Sequence, residues 1–254
     1  MTSRGTHLTE PIVEVLSGWP GVDSVGVIQS GADSYDPYYF VSLDVYCSGD
    51  IPDADERGDA LKDHTMFESS HVTRKDRFLV GETPVRIEYK YTQRFDELVD
   101  AAEAGASRFR DAGTYPFYRL VTAEPVFTRT DWLPTIRRRL EDLPDAFWIS
   151  LRETQQARAE HTYADLSAAA VRDDELFFLV SAGRFIRSLA GLLFTINRRF
   201  QPSYRLLAEE LYGLPTRPES FAARLESFIR QDGTWTMEQR QELAELMITS
   251  VLSL

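Results

Sequence analysis

The feature that most constrains the fold of this chain is a change of hydrophobic periodicity near residue 130. Before it, short segments such as Phe40–Cys47 (FVSLDVYC) and Pro84–Thr92 (PVRIEYKYT) alternate in the manner of half-buried β-strands. After it, apolar residues recur every three or four positions, in segments separated by Pro144, Pro202 and Pro215. The sequence therefore predicts an α+β domain over residues 1–130 and a helical domain over residues 131–254. Within the first domain, residues 67–77 are predicted to form an exposed loop, and residues 118–129 one short strand with its turn.

The net charge, the cysteine count and the lengths of the apolar runs exclude several classes of function. The chain of 254 residues carries a net charge of -12, which disfavours nucleic-acid binding through phosphate neutralisation. A single cysteine, Cys47, excludes an internal disulfide and a cysteine-rich metal site. The start of the chain lacks the apolar core of a signal peptide, and the most apolar run, Leu189–Ile196, is too short to span a bilayer. We therefore expect a cytoplasmic protein with no membrane partner.

Two acids stand out on the predicted strands. Asp44 is the one acid on Phe40–Cys47, and period-two geometry places it on the same face as Ser42. Glu88 lies on the later strand between Arg86 and Lys90. Each acid has an ordinary explanation as well, because Asp44 could end a strand and cap a turn, and Glu88 could belong to a solvent-facing ladder of charges.

The turn Ser30-Gly31-Ala32, the strand residues Ser42-Leu43-Asp44-Val45 and the later Glu88 together resemble the signature of the nucleotidyltransferase superfamily. That superfamily, with the polymerase β-like fold, includes DNA polymerase β and the aminoglycoside and lincosamide nucleotidyltransferases. In these proteins a small glycine turn precedes an acid-apolar-acid strand, and a third acid lies on a neighbouring strand. The resemblance implies a mixed sheet with flanking helices, followed here by a C-terminal helical bundle.

The resemblance also implies a chemistry. Asp44 and Glu88 would be the catalytic, Mg²⁺-binding carboxylates, and Ser30, Gly31, Ala32 and Ser42 would contact the nucleotide. In this chemistry two divalent ions about 3.5–4 Å apart clamp the triphosphate and orient the attacking hydroxyl. The sequence departs from the pattern at Ser42, which stands where the family has its first acid. A neutral hydroxyl is a weak ligand for a hard cation, so the predicted site lacks one formal negative charge.

A second segment adds to the resemblance. FIRSLAGLLFTINRRFQPSYRLLAEEL is similar to a helical segment that follows nucleotidyltransferase-like domains in bacterial proteins, and the match is carried by Asn197, Arg198, Phe200, Pro202 and Arg205. The resemblance implies that Asn197, Arg198 and Arg205 contact the acceptor or a phosphate. Arginines at the end of a long apolar helix also interact favourably with its dipole without any ligand.

Two functions are compatible with these residues. The first is a Mg²⁺-dependent nucleotidyltransferase that moves a nucleoside monophosphate from a nucleoside triphosphate to a hydroxyl of a small molecule or a protein, with the activity reduced or lost through Ser42. The second is a catalytically inactive protein of the same fold that binds a nucleotide or small ligand and has a regulatory role.

Overall fold

The computed structural model describes residues 4–30, 39–62, 65–70, 74–105, 109, 113–230 and 233–254. By its internal contacts the chain divides into two compact units. The first contains Met1–Ala101 and Pro116–Leu143, and the second contains Ala102–Tyr115 and Pro144–Leu254. The sequence analysis placed the boundary between residues 130 and 131. In the structure the first unit continues to Leu143, and a short segment that precedes Pro116 belongs to the second unit.

A six-stranded mixed sheet forms the first unit, in the order β3-β4-β5-β2-β1-β6. Its strands are β1 (Val22–Ser30), β2 (Phe40–Cys47), β3 (Thr65–Ser70), β4 (Lys75–Val80), β5 (Thr83–Tyr91) and β6 (Glu124–Thr128). Strands β2 and β5 run parallel, and the remaining neighbours pair in antiparallel fashion. The predicted α+β fold class is confirmed.

Strand β2 lies within the sheet and is buried along its whole length. Its odd-numbered residues, such as Leu43 and Val45, pack with Val25 of β1 and Ile87 of β5 in an apolar core. Helix α1 (Arg4–Gly18) contributes Leu16 to this core. The even-numbered residues of β2 therefore point to the opposite face of the sheet, and that face carries the polar side chains.

The remaining helices of the first unit are α2 (Ala54–Ala60), α3 (Thr92–Glu103), α4 (Tyr115–Thr122) and α5 (Trp132–Glu141). Side chains from three of them reach the polar face of the sheet. The ring of Tyr46 on β2 lies 5.3 Å from the rings of Phe95 on α3 and Trp132 on α5, measured between centroids, and Arg119 on α4 contacts Asp44. Flanking helices were predicted against one face of the sheet, and the structure has helices on both faces.

Two segments differ from the sequence-based expectation. Within residues 67–77, expected to form an exposed loop, residues 67–70 belong to β3 and residues 75–77 to β4, while residues 71–73 lie outside the described residues. The strand pattern was hidden because Asp76 occupies a core-facing position, where the Nε atom of Arg57 binds its carboxylate at 3.1 Å and the Tyr89 hydroxyl donates to it at 2.7 Å. Residues 118–129, expected to form one short strand and a turn, instead form the end of α4 and then β6.

The second unit is helical. It contains α6 (Asp145–Val171), α7 (Glu175–Ile196), α8 (Leu207–Tyr212), α9 (Phe221–Ile229) and α10 (Met237–Leu252). Its core contains Phe185 and Leu193 of α7, Leu166 of α6 and Met247 of α10. Of the helices in the described part of the chain, α7 alone has the length and apolarity to cross a membrane, and 56% of its most apolar window is buried. Its buried residues contribute to the core of this unit, whereas Leu176, Leu179 and Val180 are exposed.

Candidate functional site

The register of two parallel strands brings the predicted acids together. On β2 and β5, Asp44 is the neighbour of Glu88, and Ser42 is the neighbour of Arg86. In-register neighbours on adjacent strands project to the same side of a sheet. Asp44 and Glu88 therefore share the polar face, and Asp44 lies in the middle of its strand rather than at a turn.

The carboxylate of Asp44 is fully buried and is engaged by Arg119 from α4. The Nη2 atom of Arg119 lies 2.5 Å from Oδ1 of Asp44, and its Nε atom lies 2.8 Å from Oδ2. The same Nη2 donates to the hydroxyl of Ser42 at 2.8 Å. One guanidinium group thus binds Asp44 in bidentate fashion and also reaches Ser42, the position where the resemblance would place the first acid.

Two lysines complete the cluster. The Nζ atom of Lys90 lies 2.7 Å from Oδ1 of Asp44 and 3.6 Å from Oε2 of Glu88. The Nζ atom of Lys75 lies 2.8 Å from Oε1 of Glu88. Asp44, Glu88, Lys75, Lys90 and Arg119 form what we call the ion-pair cluster. Its three cations exceed its two carboxylates by one charge.

Burial and the neighbouring charges shift the pKa values of Asp44, Glu88 and Lys90. Burial by itself raises the pKa of Asp44, but Lys90 and Arg119 together outweigh burial and hold that pKa below its usual value. The pKa of Glu88 is also lowered, because the hydrogen bond from Lys75 and the charges of Lys90 and Arg119 outweigh its partial burial. Burial lowers the pKa of Lys90, although Asp44 opposes this shift. Because the Lys90 amine lies within 2.7 Å of the carboxylate, we take both groups as charged at neutral pH.

Backbone contacts hold α4 where Arg119 can reach Asp44. Arg137 on α5 donates from Nε to the carbonyl of Leu120 at 2.9 Å and from Nη2 to the carbonyl of Ala123 at 2.5 Å, which anchors the end of α4. On β1, Gly26 lies opposite Asp44, at a register shift in the pairing with β6. A Cβ at Gly26 would lie 2.8 Å from the Cβ of Ala123, so the glycine permits this close approach.

Replacing Gly26 by alanine is expected to lower the free energy of unfolding by about 1–3 kcal/mol, since the added methyl group must displace the end of α4. Chemical denaturation measures the change. Gly18→Ala is the matched control, because no atom lies within 4 Å of the added Cβ, and we expect it to change stability by less than about 1 kcal/mol. Equal stability of Gly26→Ala and the unmodified protein would show that this contact does not position α4.

The cluster does not present a ligand set for Mg²⁺. Both oxygens of Asp44 already accept from cationic side chains, and the carboxylate has no exposed surface. In the described parts of the chain, no group of three or more His, Cys, Asp or Glu side chains is arranged to hold a metal ion. A divalent ion at Asp44 would have to displace the guanidinium group of Arg119.

The remaining predicted site residues have the following surroundings. Ser30 ends β1, while Gly31 and Ala32 lie outside the described residues. Asn197 follows α7 and exchanges two hydrogen bonds with the backbone of Thr216, at 2.7 and 2.8 Å. Arg198 pairs with Asp145 at 2.7 Å, with both side chains largely exposed, and Arg205 is exposed. Asn197 thus has a clear structural task in the second unit, joining the end of α7 to a later loop.

Sequence reasoning missed the cationic half of the cluster. Arg119 is separated from Asp44 by 75 positions, and its segment was assigned to a strand. One signal was available, since Arg119 is flanked by Phe117, Tyr118 and Leu120, and an arginine inside an apolar run requires a buried partner. Lys90 was noted only as a member of the charge ladder around Glu88.

Comparison with known proteins identifies the fold. The model of a domain of unknown function (DUF4037) matches residues 117–206, a segment that begins at α4 and includes Arg119. Among solved structures, the chain is similar to a nucleotidyltransferase-like protein from Exiguobacterium sibiricum 255-15, with a TM-score of 0.50 and 13% sequence identity. The similarity covers 98% of this chain and 74% of that chain. No curated protein matches the sequence. The fold is therefore nucleotidyltransferase-like.

Proposed function

We propose that this nucleotidyltransferase-like protein does not transfer nucleotides and instead binds a nucleotide, or another small ligand bearing phosphate groups, in a regulatory role. The observation that carries the proposal is the bidentate contact of Arg119 with the buried carboxylate of Asp44, at 2.5 and 2.8 Å. Where the superfamily resemblance would place metal ions, this chain has a cationic side chain of its own.

The energetics favour retention of this contact. Moving Arg119 away from Asp44 would leave a buried carboxylate with Lys90 as its one remaining close cation among the described residues, and breaking a buried ion pair costs about 3–5 kcal/mol. A Mg²⁺ ion would have to recover that loss while gaining few ligands, because Ser42 offers a hydroxyl in place of a carboxylate. Metal-dependent nucleotide transfer through Asp44 is therefore disfavoured.

The exposed part of the same face supports ligand binding. Lys75 and Arg77 on β4 pair in register with Glu88 and Arg86 on β5, so Arg77 and Arg86 are direct cross-strand neighbours. Like charges in that arrangement repel, and a bound anion would relieve the repulsion. Glu68 on β3 is the neighbour of Arg77 on its other side and offsets part of the charge. A phosphate group bound here would be neutralised by side chains, without a metal.

One residue of this surface lies against an aromatic ring. The guanidinium carbon of Arg86 lies 4.1 Å from the centroid of the Phe40 ring, and Phe40 is buried at the start of β2. Stacking on an aromatic ring fixes the plane of a guanidinium group, which lowers the entropy lost when it binds an anion. Arg77, by contrast, is exposed and is the residue of this surface that a substitution can remove with least effect on folding.

An active, Mg²⁺-dependent enzyme is the alternative, and one observation favours it. Asp44 and Glu88 are register neighbours on one face, as a shared metal site requires. This function would require Arg119 and Lys90 to leave Asp44 when metal and nucleoside triphosphate bind, and it would also require an acceptor hydroxyl. The two functions differ in their dependence on metal.

Calorimetric titration of ATP in EDTA and in excess Mg²⁺ separates them. We expect similar affinity in both conditions, no transfer of nucleotide, and about tenfold weaker binding for Arg77→Gln, which removes a charged hydrogen-bond donor. Arg138→Gln is the control, because it removes the same charge from an exposed position on α5. Binding that requires Mg²⁺ and disappears in Asp44→Asn, or nucleotide transfer under the same conditions, would contradict the proposal and support the enzyme.

A further inference from the structure

The turn between α6 and α7 carries an exposed apolar surface. Val171 ends α6, and Leu176, Leu179 and Val180 lie on the first two turns of α7. Each of these four side chains is more than half exposed. Single exposed apolar residues are common on proteins, whereas a contiguous group of them marks an interaction surface. None of the four belongs to the ion-pair cluster or to the predicted ligand residues, so this surface needs an explanation of its own.

Helix geometry places these residues on the side of α7 that points away from the core. Exposed residues of α7 follow the spacing i, i+3, i+4, i+7 and i+11, and they are Leu176, Leu179, Val180, Gly183 and Arg187. Residues with this spacing form one stripe along a helix, and we call this set the α7 stripe. Phe178 and Phe185, on the opposite side of the helix, are buried in the core of the unit.

Charges of opposite sign lie at the two ends of the α7 stripe. Its beginning is acidic, with three acids against one base: Asp173, Asp174 and Glu175 against Arg172. At its other end, Arg187 forms no ion pair among the described residues, and its guanidinium carbon lies 5.6 Å from the centroid of the Tyr204 ring. A helix face with an acidic end, an apolar middle and a basic end is complementary to a second copy of itself that runs in the opposite direction.

We propose that the protein forms a twofold symmetric dimer in which the α7 stripes of two copies pack antiparallel. In such a dimer each residue meets the symmetry-related position of the partner, and the centre of the apolar segment lies between Leu179 and Val180. Leu176 then packs over the partner's Gly183. A Cβ added at Gly183 would have no atom within 4 Å, so the space above this glycine is open to the partner's leucine.

The same arrangement pairs opposite charges at both ends of the stripe. With this axis, the position opposite Glu175 is the partner's Arg184, which keeps Asp165 of its own chain at 3.3 Å. Long side chains of a helix lean towards its N-terminus, so the guanidinium group of Arg187 extends about one turn back and reaches the partner's Glu175. A parallel arrangement would bring like charges together, and the charges therefore select the antiparallel one. The dimer does not depend on the ligand surface of the sheet.

Analytical ultracentrifugation of the unmodified protein, without ligand, measures the dimer directly. We expect a species of twice the chain mass of 29.0 kDa at protein concentrations of about 10–100 μM. Leu179→Glu places two carboxylates next to the axis and should weaken the dimer about a hundredfold. Leu246→Glu is the matched control, because Leu246 on α10 is 51% exposed against 56% for Leu179 and lies outside the α7 stripe. It should leave the dimer unchanged.

Charge reversal tests the antiparallel pairing. Glu175→Arg and Arg187→Glu should each weaken the dimer about tenfold, because each brings like charges together at both ends, and the double variant should restore the affinity of the unmodified protein. A mass that stays at 29.0 kDa up to about 100 μM would overturn the proposal, as would equal weakening by Leu179→Glu and Leu246→Glu. A double variant that binds no more tightly than the single variants would also overturn it, and so would a monomer whose α7 stripe binds lipid vesicles instead.

Discussion

Replacing Arg119 by glutamine is expected to lower the free energy of unfolding by about 3–5 kcal/mol. The substitution removes the guanidinium group that binds both oxygens of Asp44, and this carboxylate has no exposed surface through which water could replace the lost bonds. Lys90 remains at 2.7 Å from Oδ1, so the carboxylate keeps one cation. Denaturant-induced unfolding, monitored by circular dichroism, gives the difference in free energy.

Arg139→Gln is the control for this prediction. Arg139 forms an ion pair with Asp100 at 2.6 Å in the same unit, but the Asp100 side chain is 67% exposed. Surface ion pairs contribute about 0–1 kcal/mol, so this variant should unfold close to the unmodified protein. Similar small losses for Arg119→Gln and Arg139→Gln would contradict the structural role that we assign to the buried contact.

Replacing Asp44 by asparagine is the second change expected to have a large effect. It leaves two cations, Arg119 and Lys90, near each other with no carboxylate between them, and we again expect a loss of about 3–5 kcal/mol. Glu88→Gln serves for comparison. Glu88 retains 30% of its side-chain surface, and water can solvate the groups that it leaves, so we expect a loss of about 0–1 kcal/mol.

The double variant Asp44→Asn/Arg119→Gln tests whether these two residues act on each other. If the ion pair is the shared cause of both losses, the double variant should lose less unfolding free energy than the two single variants together, by about 1–3 kcal/mol. The remaining Lys90 can still pair with Glu88. Losses that add without any coupling would show that each residue stabilises the fold through separate contacts.

The sequence was sufficient to predict that Asp44 projects from one face of the sheet, but not that the helix with Arg119 packs on that face. Alternation along β2 placed Asp44 on the face opposite to the apolar core, and the same period on β5 placed Glu88 on one side of its strand. The alternation of side chains between the two faces of a strand depends only on neighbouring residues, so it can be recognised from a short stretch of sequence. The partner of Asp44 could not be read this way, because Arg119 lies on a helix that reaches β2 only in the folded chain.

The errors in secondary structure have a similar cause. Strand β4 has a charged residue, Asp76, directed towards the apolar side, and its compensation by Arg57 and Tyr89 is visible only in three dimensions. Helix α4 is eight residues long and contains Tyr118 and Val121, which favour strands in isolation. Its helical state is supported by contacts that the local sequence does not encode, such as the two hydrogen bonds from Arg137 to its final carbonyls.

We propose that Arg119 and Lys90 take the place of metal ions at Asp44. Calorimetric titration of the unmodified protein with Mn²⁺, in the presence of ATP and after subtraction of the metal–ATP reaction, tests it most directly. If these two cations occupy the place of the metal ions, no saturable metal binding depends on Asp44 or Glu88, so the unmodified protein and Glu88→Gln should give the same curve. Stoichiometric Mn²⁺ binding to the unmodified protein that is lost in both Asp44→Asn and Glu88→Gln would contradict it.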